Sequence, residues 1–388
     1  MATILDPSLY FDHSATTPPR PEAIAAVQQA MAETWGNPSS LHLWGQRAST
    51  SLEIARQQVA DLLGAPAEQI IFTSGGTEAD NLALMGIARR QETPQHLIIS
   101  SVEHSAIENT ARCLEREGWQ VTRLPVTPEG FVTPTSLAAS LQPNTVLVSV
   151  IHGQSEVGTV QPIAELAVIC REAGVLFHSD CVQTAGRLPL SVAELGVDLL
   201  TLSSHKLYGP QGAGALYVRP GLTMTSFSFG GQQERGWRAG TQALPAIAGF
   251  GVAAQLARQE LAEEDSHLRS LQYRLHQALK GVDGLVPTGP RNLSQRLPHH
   301  LSYCIESQTG TWLVTQCSRA GVAISSGSAC NSGQLIPSRI LQAMGYSDRQ
   351  ALGALRLSLG KATTVAAVDR LAALMGEFLP LAVELTTP

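Results

Sequence analysis

Three short stretches hold residue types suited to covalent and ionic chemistry: Thr73-Ser74-Gly75-Gly76-Thr77-Glu78, His178-Ser179-Asp180 and Ser203-Ser204-His205-Lys206. The first follows an apolar run and opens a helical one, so bare amides, close backbone approach and the helix dipole converge on a spot suited to phosphate. It lacks the Gly-Lys-Ser/Thr of a P-loop, and glycines there also serve backbone angles alone. Lys206 stands in an otherwise uncharged, glycine-rich run from Leu199 to Val218. Desolvation lowers an amine's pKa and frees its lone pair for a Schiff base, whereas a plain surface lysine needs no such setting. Asp180 ends a strand-like run, where a carboxylate either caps a helix or keeps a pyridine nitrogen protonated. Together, a phosphate cradle, a strand-end aspartate and a desolvated lysine are the parts that pyridoxal 5'-phosphate requires.

A fourth residue suits a different step. Cys330 lies in Ser325-Ser326-Gly327-Ser328-Ala329-Cys330-Asn331-Ser332-Gly333, a polar setting that the other five cysteines lack. A free cysteine is most often a small core residue, yet serine and glycine in this density describe an accessible loop, where a thiolate is a nucleophile.

The elements that must position these residues are legible from periodicity. Between Ile70 and Val218, β-branched runs at Ile70–Thr73, Leu97–Ser100, Gln120–Leu124, Val146–Ile151, Val175–His178, Leu199–Leu202 and Ala215–Val218 alternate with amphipathic stretches such as Ala79–Arg90, Ala106–Glu117 and Ile163–Ala173. This predicts an α/β fold whose large domain is a seven-stranded, mostly parallel sheet flanked by helices, with ligands beyond the strands' C-terminal ends. A long helical segment, Gln255–Leu279, leads into a smaller α+β domain. Its expected strands are His300–Ile305, Val322–Ile324 and Leu355–Leu359, and its helices Thr311–Ala320, Ser338–Met344 and Val365–Phe378. The expected division is 16–260 for the large domain, with 1–15 and 261–388 forming the small domain that carries Cys330.

Composition excludes several classes. The 388 residues carry 26 basic and 32 acidic side chains, a net charge of −6, and 44% apolar residues. Such a chain folds, and without a basic cluster it offers no grip on nucleic acid or anionic membrane. The run Ala239–Ala257 is broken by Gly240, Pro245, Gly249 and Gly251 and reads as a buried turn and helix, not a membrane span. No signal-peptide pattern opens the sequence, which predicts a cytoplasmic protein. The six cysteines form no C-x-x-C pair, arguing against zinc and disulfides.

The sequence resembles the cysteine desulfurases of the NifS/IscS type, within the class V, fold-type I pyridoxal-phosphate enzymes. Phe11–Thr17, Gly36–His42, Thr73–Asn81, Glu103-His104, Glu156–Thr159, Ser203–Gly209, Gln233–Gly236, Arg238–Thr241 and Ser325–Cys330 carry the likeness. The resemblance implies that Lys206 bears the cofactor, Asp180 pairs with its ring nitrogen, and His104 stacks on the ring and carries protons. It implies further that Gly76, Thr77, Ser203 and His205 hold the phosphate, that Gln183 bonds the phenolic oxygen, and that Thr241 reaches the phosphate of the neighbouring subunit in a homodimer. Arg356 would pair with the substrate carboxylate. Cys330 would take sulfur from L-cysteine as a persulfide, leaving L-alanine, for an acceptor protein in iron–sulfur assembly or thiolation.

One position departs from the family. Where two asparagines usually precede Glu-Val-Gly-Thr, this chain has Gln154 and Ser155. Ser155 is expected in the cofactor and substrate site, but its side chain is shorter. A cystine or selenocysteine lyase on the same scaffold, with Cys330 dispensable, is the nearest alternative; a non-catalytic sulfur-transfer scaffold is the other.

Overall fold

The computed structural model describes residues 5–305, 308–327 and 336–384. Seven strands form the larger sheet: β1 (Ile70–Thr73), β2 (His96–Ser100), β3 (Gln120–Leu124), β4 (Thr145–Ser149), β5 (Leu176–Asp180), β6 (Leu199–Ser203) and β7 (Gly214–Val218). They are ordered β1-β7-β6-β5-β4-β2-β3. β7 runs antiparallel to both neighbours, and every other pairing is parallel. The sheet is mostly parallel, as expected, and the C-terminal ends of β1, β2, β4, β5 and β6 share one edge.

Alternation along the strands sends side chains into two cores. Phe72, Ile98, Val148, Phe177, Leu200 and Leu202 pack on one face with Leu52, Val59, Leu166 and Phe250 of helices Leu43–Leu63, Ile163–Glu172 and Leu244–Gln259. Ile71, Leu97, Ile99, Leu147 and Leu199 pack on the other with helices Gly76–Ala88 and Ser105–Arg116. Apolar residues on both faces are what a parallel sheet covered on two sides demands.

A second, antiparallel sheet has the order β10-β9-β8, with β8 at Leu285–Pro287, β9 at His300–Ile305 and β10 at Ala354–Ser358. Its core joins Leu301, Tyr303, Leu355 and Leu357 to Leu268 and Leu271 of helix Leu261–Leu279, to Leu371 and Met375 of helix Val365–Glu384, and to Leu9 and Phe11. The N-terminal segment is stitched to this sheet through Phe11 N–H to the Ala323 carbonyl (2.8 Å) and Ser358 N–H to the Phe11 carbonyl (2.9 Å).

Two expectations need correction. Val322–Ile324 is not a strand: Ala323 makes an isolated parallel bridge with Tyr10, because the run meets a single extended segment and is cut off by Gly321 at φ 80°. Gln255–Leu279 is not one helix either. It breaks at Glu260 (φ −101°, ψ 4°), whose carboxylate is drawn to Arg20 and Lys361. Two helices that sequence periodicity did not single out, Pro21–Glu33 and Leu43–Leu63, pack on Leu244–Gln259. Among the described residues no helix is long and apolar enough to cross a membrane.

Candidate active site

The turns that leave the shared edge of the larger sheet carry nearly all the predicted site residues. β6 ends at Ser203, which is buried, and the chain tightens into a 3-10 turn that ends at Lys206. Lys206 Nζ donates to the carbonyls of Ser14 (2.6 Å) and Ala15 (2.7 Å). Gln183, just beyond β5, donates through Nε2 to the same Ser14 carbonyl at 2.8 Å. Beside the lysine, His205 Nδ1 meets Thr16 Oγ1 at 3.1 Å, and its carbonyl accepts from Thr17 N–H at 2.9 Å. Burial, then the charge of Lys206, lowers the His205 pKa to about 4.

Asp180 closes β5 and is buried; its carboxylate accepts from Val182 N–H at 2.9 Å. Burial raises its pKa, and the charges of His104 and Lys206 oppose that rise. His104 caps helix Ser105–Arg116, with Nδ1 accepting from Ala106 N–H at 3.2 Å, so a neutral ring carries its proton on Nε2. Burial lowers the His104 pKa, while Asp180 pulls the other way and Lys206 adds to the lowering. Asp180, His104 and Lys206 thus influence one another's charge state.

The glycine turn after β1 has the form the sequence suggested. Helix Gly76–Ala88 begins with no side chain capping its amides. A Cβ on Gly76 would lie 2.9 Å from Val182 Cγ2 and 3.5 Å from Ser203 Cβ, so the turn sits against the ends of β5 and β6. Gly214 makes room from β7, since a Cβ there would come within 2.5 Å of the Gly75 carbonyl carbon. Thr77 follows in the first helical turn, where amides without partners receive anions.

Arg356, on β10, is buried and enters from the smaller sheet. It donates to Asp12 Oδ1 (2.8 Å), Ser325 Oγ (3.2 Å) and the Ser155 carbonyl (3.2 Å), while its Nε is buried with no hydrogen-bond partner among the described residues. The Ser155 carbonyl also faces His300 Nε2 at 3.1 Å. Ser155 and Arg356 therefore come together. Thr241 does not join this group: it is exposed, on the loop before helix Leu244–Gln259. Cys330 lies outside the described residues.

Several partners escaped sequence reasoning. Ser14 and Ala15 act through carbonyls, which residue type does not reveal. Behind Lys206, Tyr208 adopts φ 65°. Its hydroxyl meets Arg187 at 2.9 Å and Glu264 at 2.8 Å, and Arg187 pairs with Glu264. Glu103, buried near Asp180, accepts from Ser100 Oγ (2.5 Å) and Ile151 N–H (2.8 Å), and burial raises its pKa to about 8. The signal available was a carboxylate at the end of the apolar run that precedes His104.

The residues fit pyridoxal phosphate. An uncapped helix start beside Ser203 offers amides to a phosphate, a buried aspartate offers a counter-charge to a ring nitrogen, and a half-buried amine stands nearby.

Residues 9–371 match the sequence model of the class V aminotransferases. The chain is 42% identical over 358 residues to cysteine desulfurase IscS of Dictyoglomus turgidum, covering 92% of this chain and 90% of that protein. It is 44% identical over 374 residues to cysteine desulfurase IscS of an Anaeromyxobacter species, covering 95% and 92%. Among solved structures, a NifS-like protein superposes with a TM-score of 0.90 at 34% identity, over 96% of this chain and 99% of that one. SspA in complex with cysteine superposes at 0.79 and 31% identity, over 92% and 99%.

Proposed function

We propose, from the premise that this chain belongs to the class V aminotransferases and within them to the cysteine desulfurases, that it converts L-cysteine to L-alanine and passes the sulfur to Cys330. The observation that carries this reading is that Asp180 at the end of β5 and Lys206 just past the end of β6 flank the helix start at Gly76, which sits against Val182 and Ser203. Pyridoxal 5'-phosphate, when bound, supplies an aldehyde for amines and a ring that accepts electrons from a carbanion.

Lys206 would hold the cofactor's carbon and then take the proton from the substrate Cα. Asp180 would face the ring nitrogen. Gly76, Thr77, Ser203 and His205 would hold the phosphate, and Gln183 the phenolic oxygen. Arg356 would orient the substrate carboxylate, with Asp12 fixing one end of its guanidinium. Ser155 would border cofactor and substrate. His104, neutral through burial, would stack on the ring and carry protons at Nε2.

Cys330 Sγ, as a thiolate, would form a bond to the substrate Sγ as the Cβ–Sγ bond breaks with its electron pair remaining on carbon. L-cysteine and the thiol thus become L-alanine and a persulfide, and the sulfane sulfur passes to an acceptor protein. The thiols of Cys170, Cys181 and Cys317 are poorly suited to this step, since burial pushes each up to about 12. Thr241, exposed on its loop, would complete the phosphate site of a second subunit in a homodimer.

The test compares wild-type protein with Cys330→Ala on L-cysteine, L-cystine and L-selenocysteine. Loss of alanine and sulfide from L-cysteine in the variant supports the persulfide route. Wild-type rates from L-cysteine would replace it with the lyase reading, which the serine at position 155 favours. The absence of a hydride-sensitive absorption band in purified protein would leave a non-catalytic scaffold.

A further inference from the structure

The loop that carries Thr241 is held in a strained conformation by one buried carboxylate. Glu234 and Arg235 have φ of 43° and 59°, and Gly236 follows at 75°. Left-handed backbone is strained for a residue that carries a Cβ, so other contacts must hold this turn. Glu234 supplies them. Its Oε2 accepts from Arg56 Nη1 (2.7 Å) and Phe72 N–H (2.9 Å), and its Oε1 accepts from Arg56 Nη2 (2.9 Å) and Gln242 Nε2 (3.0 Å). The pairing with Arg56 is the two-pronged geometry in which guanidinium and carboxylate hold one another most firmly. Arg56 is itself fixed, donating to the Ile70 carbonyl at 2.8 Å with its guanidinium carbon 4.8 Å from the Phe72 ring centre.

This bolt joins two places that matter. Phe72 lies on β1, one residue before the Thr73–Thr77 turn. Gln242 directly follows Thr241, so the carboxylate grips the loop at both its entry and its exit. A second tie runs from Arg238 Nε to Glu78 Oε1 at 2.9 Å, and Glu78 accepts from Ser74 N–H at 2.6 Å. Gly240 N–H is closed back onto Gln233 Oε1 at 3.1 Å. The loop is therefore built rigidly on the subunit's own phosphate turn while Thr241 stays exposed.

We infer that Glu234 is a positioning residue that sets Thr241 for the cofactor phosphate of a second subunit, so that each phosphate turn is coupled through the Arg56–Glu234 pair to the hydroxyl it lends its partner. This rests on the reading that Thr241 completes the neighbouring site. The salt bridge would then govern how long the partner retains its cofactor, in addition to local stability.

The test measures release of pyridoxal phosphate from holoenzyme diluted into excess apo-acceptor protein, with oligomeric state followed by sedimentation. Thr241→Ala and Glu234→Gln should each speed release about tenfold, the effect of losing one hydrogen bond to a charged group. Both should remain dimeric, and the double variant should release no faster than the faster single. Gln242→Ala keeps the carboxylate–guanidinium pair and should give a smaller acceleration that vanishes in the Thr241→Ala background; it serves also if Glu234→Gln does not fold. Effects that multiply in the double variants, no effect at positions 234 and 242, or dissociation of Glu234→Gln where Thr241→Ala stays dimeric would overturn the inference. Unchanged release in Thr241→Ala would instead sink the shared-site reading beneath it.

Discussion

Lys206 Nζ and Gln183 Nε2 donate to the same acceptor, the carbonyl oxygen of Ser14, at 2.6 and 2.8 Å. The amine and the amide proposed to touch neighbouring groups of one cofactor ring are thus aligned by a single backbone oxygen. That oxygen belongs to a segment anchored in the other sheet, so the lysine's position depends on how the two sheets sit together.

Replacing Lys206 with alanine should lower turnover by about 10³-fold or more, the scale expected when a general base is lost, and should abolish the hydride-sensitive band. The chain has three lysines, at 206, 280 and 361, so peptide mapping after borohydride trapping is unambiguous. Label on residue 280 or 361 would refute the assignment.

Asp180→Asn keeps the shape and an acceptor for Val182 N–H but removes the charge. A fall in kcat of about a hundredfold is expected, typical of losing a preorganised electrostatic partner. Unchanged kcat with weaker cofactor retention would assign Asp180 to binding alone.

Arg356→Lys preserves charge and loses the planar fork. Its effect should fall on KM for L-cysteine, raised roughly tenfold or more, with kcat changed far less. Steady-state kinetics that put the whole effect on kcat would contradict carboxylate recognition.

Stability should decline on acidification from neutral pH. Burial lowers the pKa of His13 and His178 to about 3 and of His152 and His205 to about 4, and lowers those of His96, His104, His276, His299 and His300. Between about pH 4.5 and 6.5 the unfolded chain binds protons at these histidines that the folded chain resists, so stability falls as pH falls. Asp80, Glu103, Glu156 and Asp180 are raised by burial and act oppositely there, keeping protons in the fold. The lowered histidines outnumber the raised carboxylates, so the net effect is a loss of stability as pH falls. Thermal melts at intervals between pH 7 and 5 should show a steadily falling midpoint; a flat profile would mean that the buried histidines are charged.

What the sequence made legible was what period and residue type encode. β1 and β3 coincide with the runs Ile70–Thr73 and Gln120–Leu124, and helix Ser105–Arg116 lies within a residue of its expected bounds. Lys206, Asp180 and the Gly75–Thr77 turn stood out because polar groups interrupt apolar periods. Helix Leu43–Leu63 was harder to see, since Arg56, Gln57 and Gln58 interrupt its apolar stripe and Arg56 is buried against Glu234, 178 residues away. Ser14 was invisible as a lysine acceptor because every residue has a carbonyl, and tertiary structure alone decides which one is used. The strand expected at Val322–Ile324 failed because its partner, the Leu9–Phe11 segment, supplies too little extended backbone to sustain a ladder.

The stitching of residue 11 to residue 358 has a consequence for biogenesis. Ser14, whose carbonyl accepts from the lysine, donates its own N–H to Ser358 Oγ at 2.9 Å. A nascent polypeptide can fold its helices and most of the larger sheet early, yet residues 11–14 have no berth until Ser358 has emerged. The carbonyl clamp on Lys206 is thereby withheld until a strand about 150 residues further along the chain is in place.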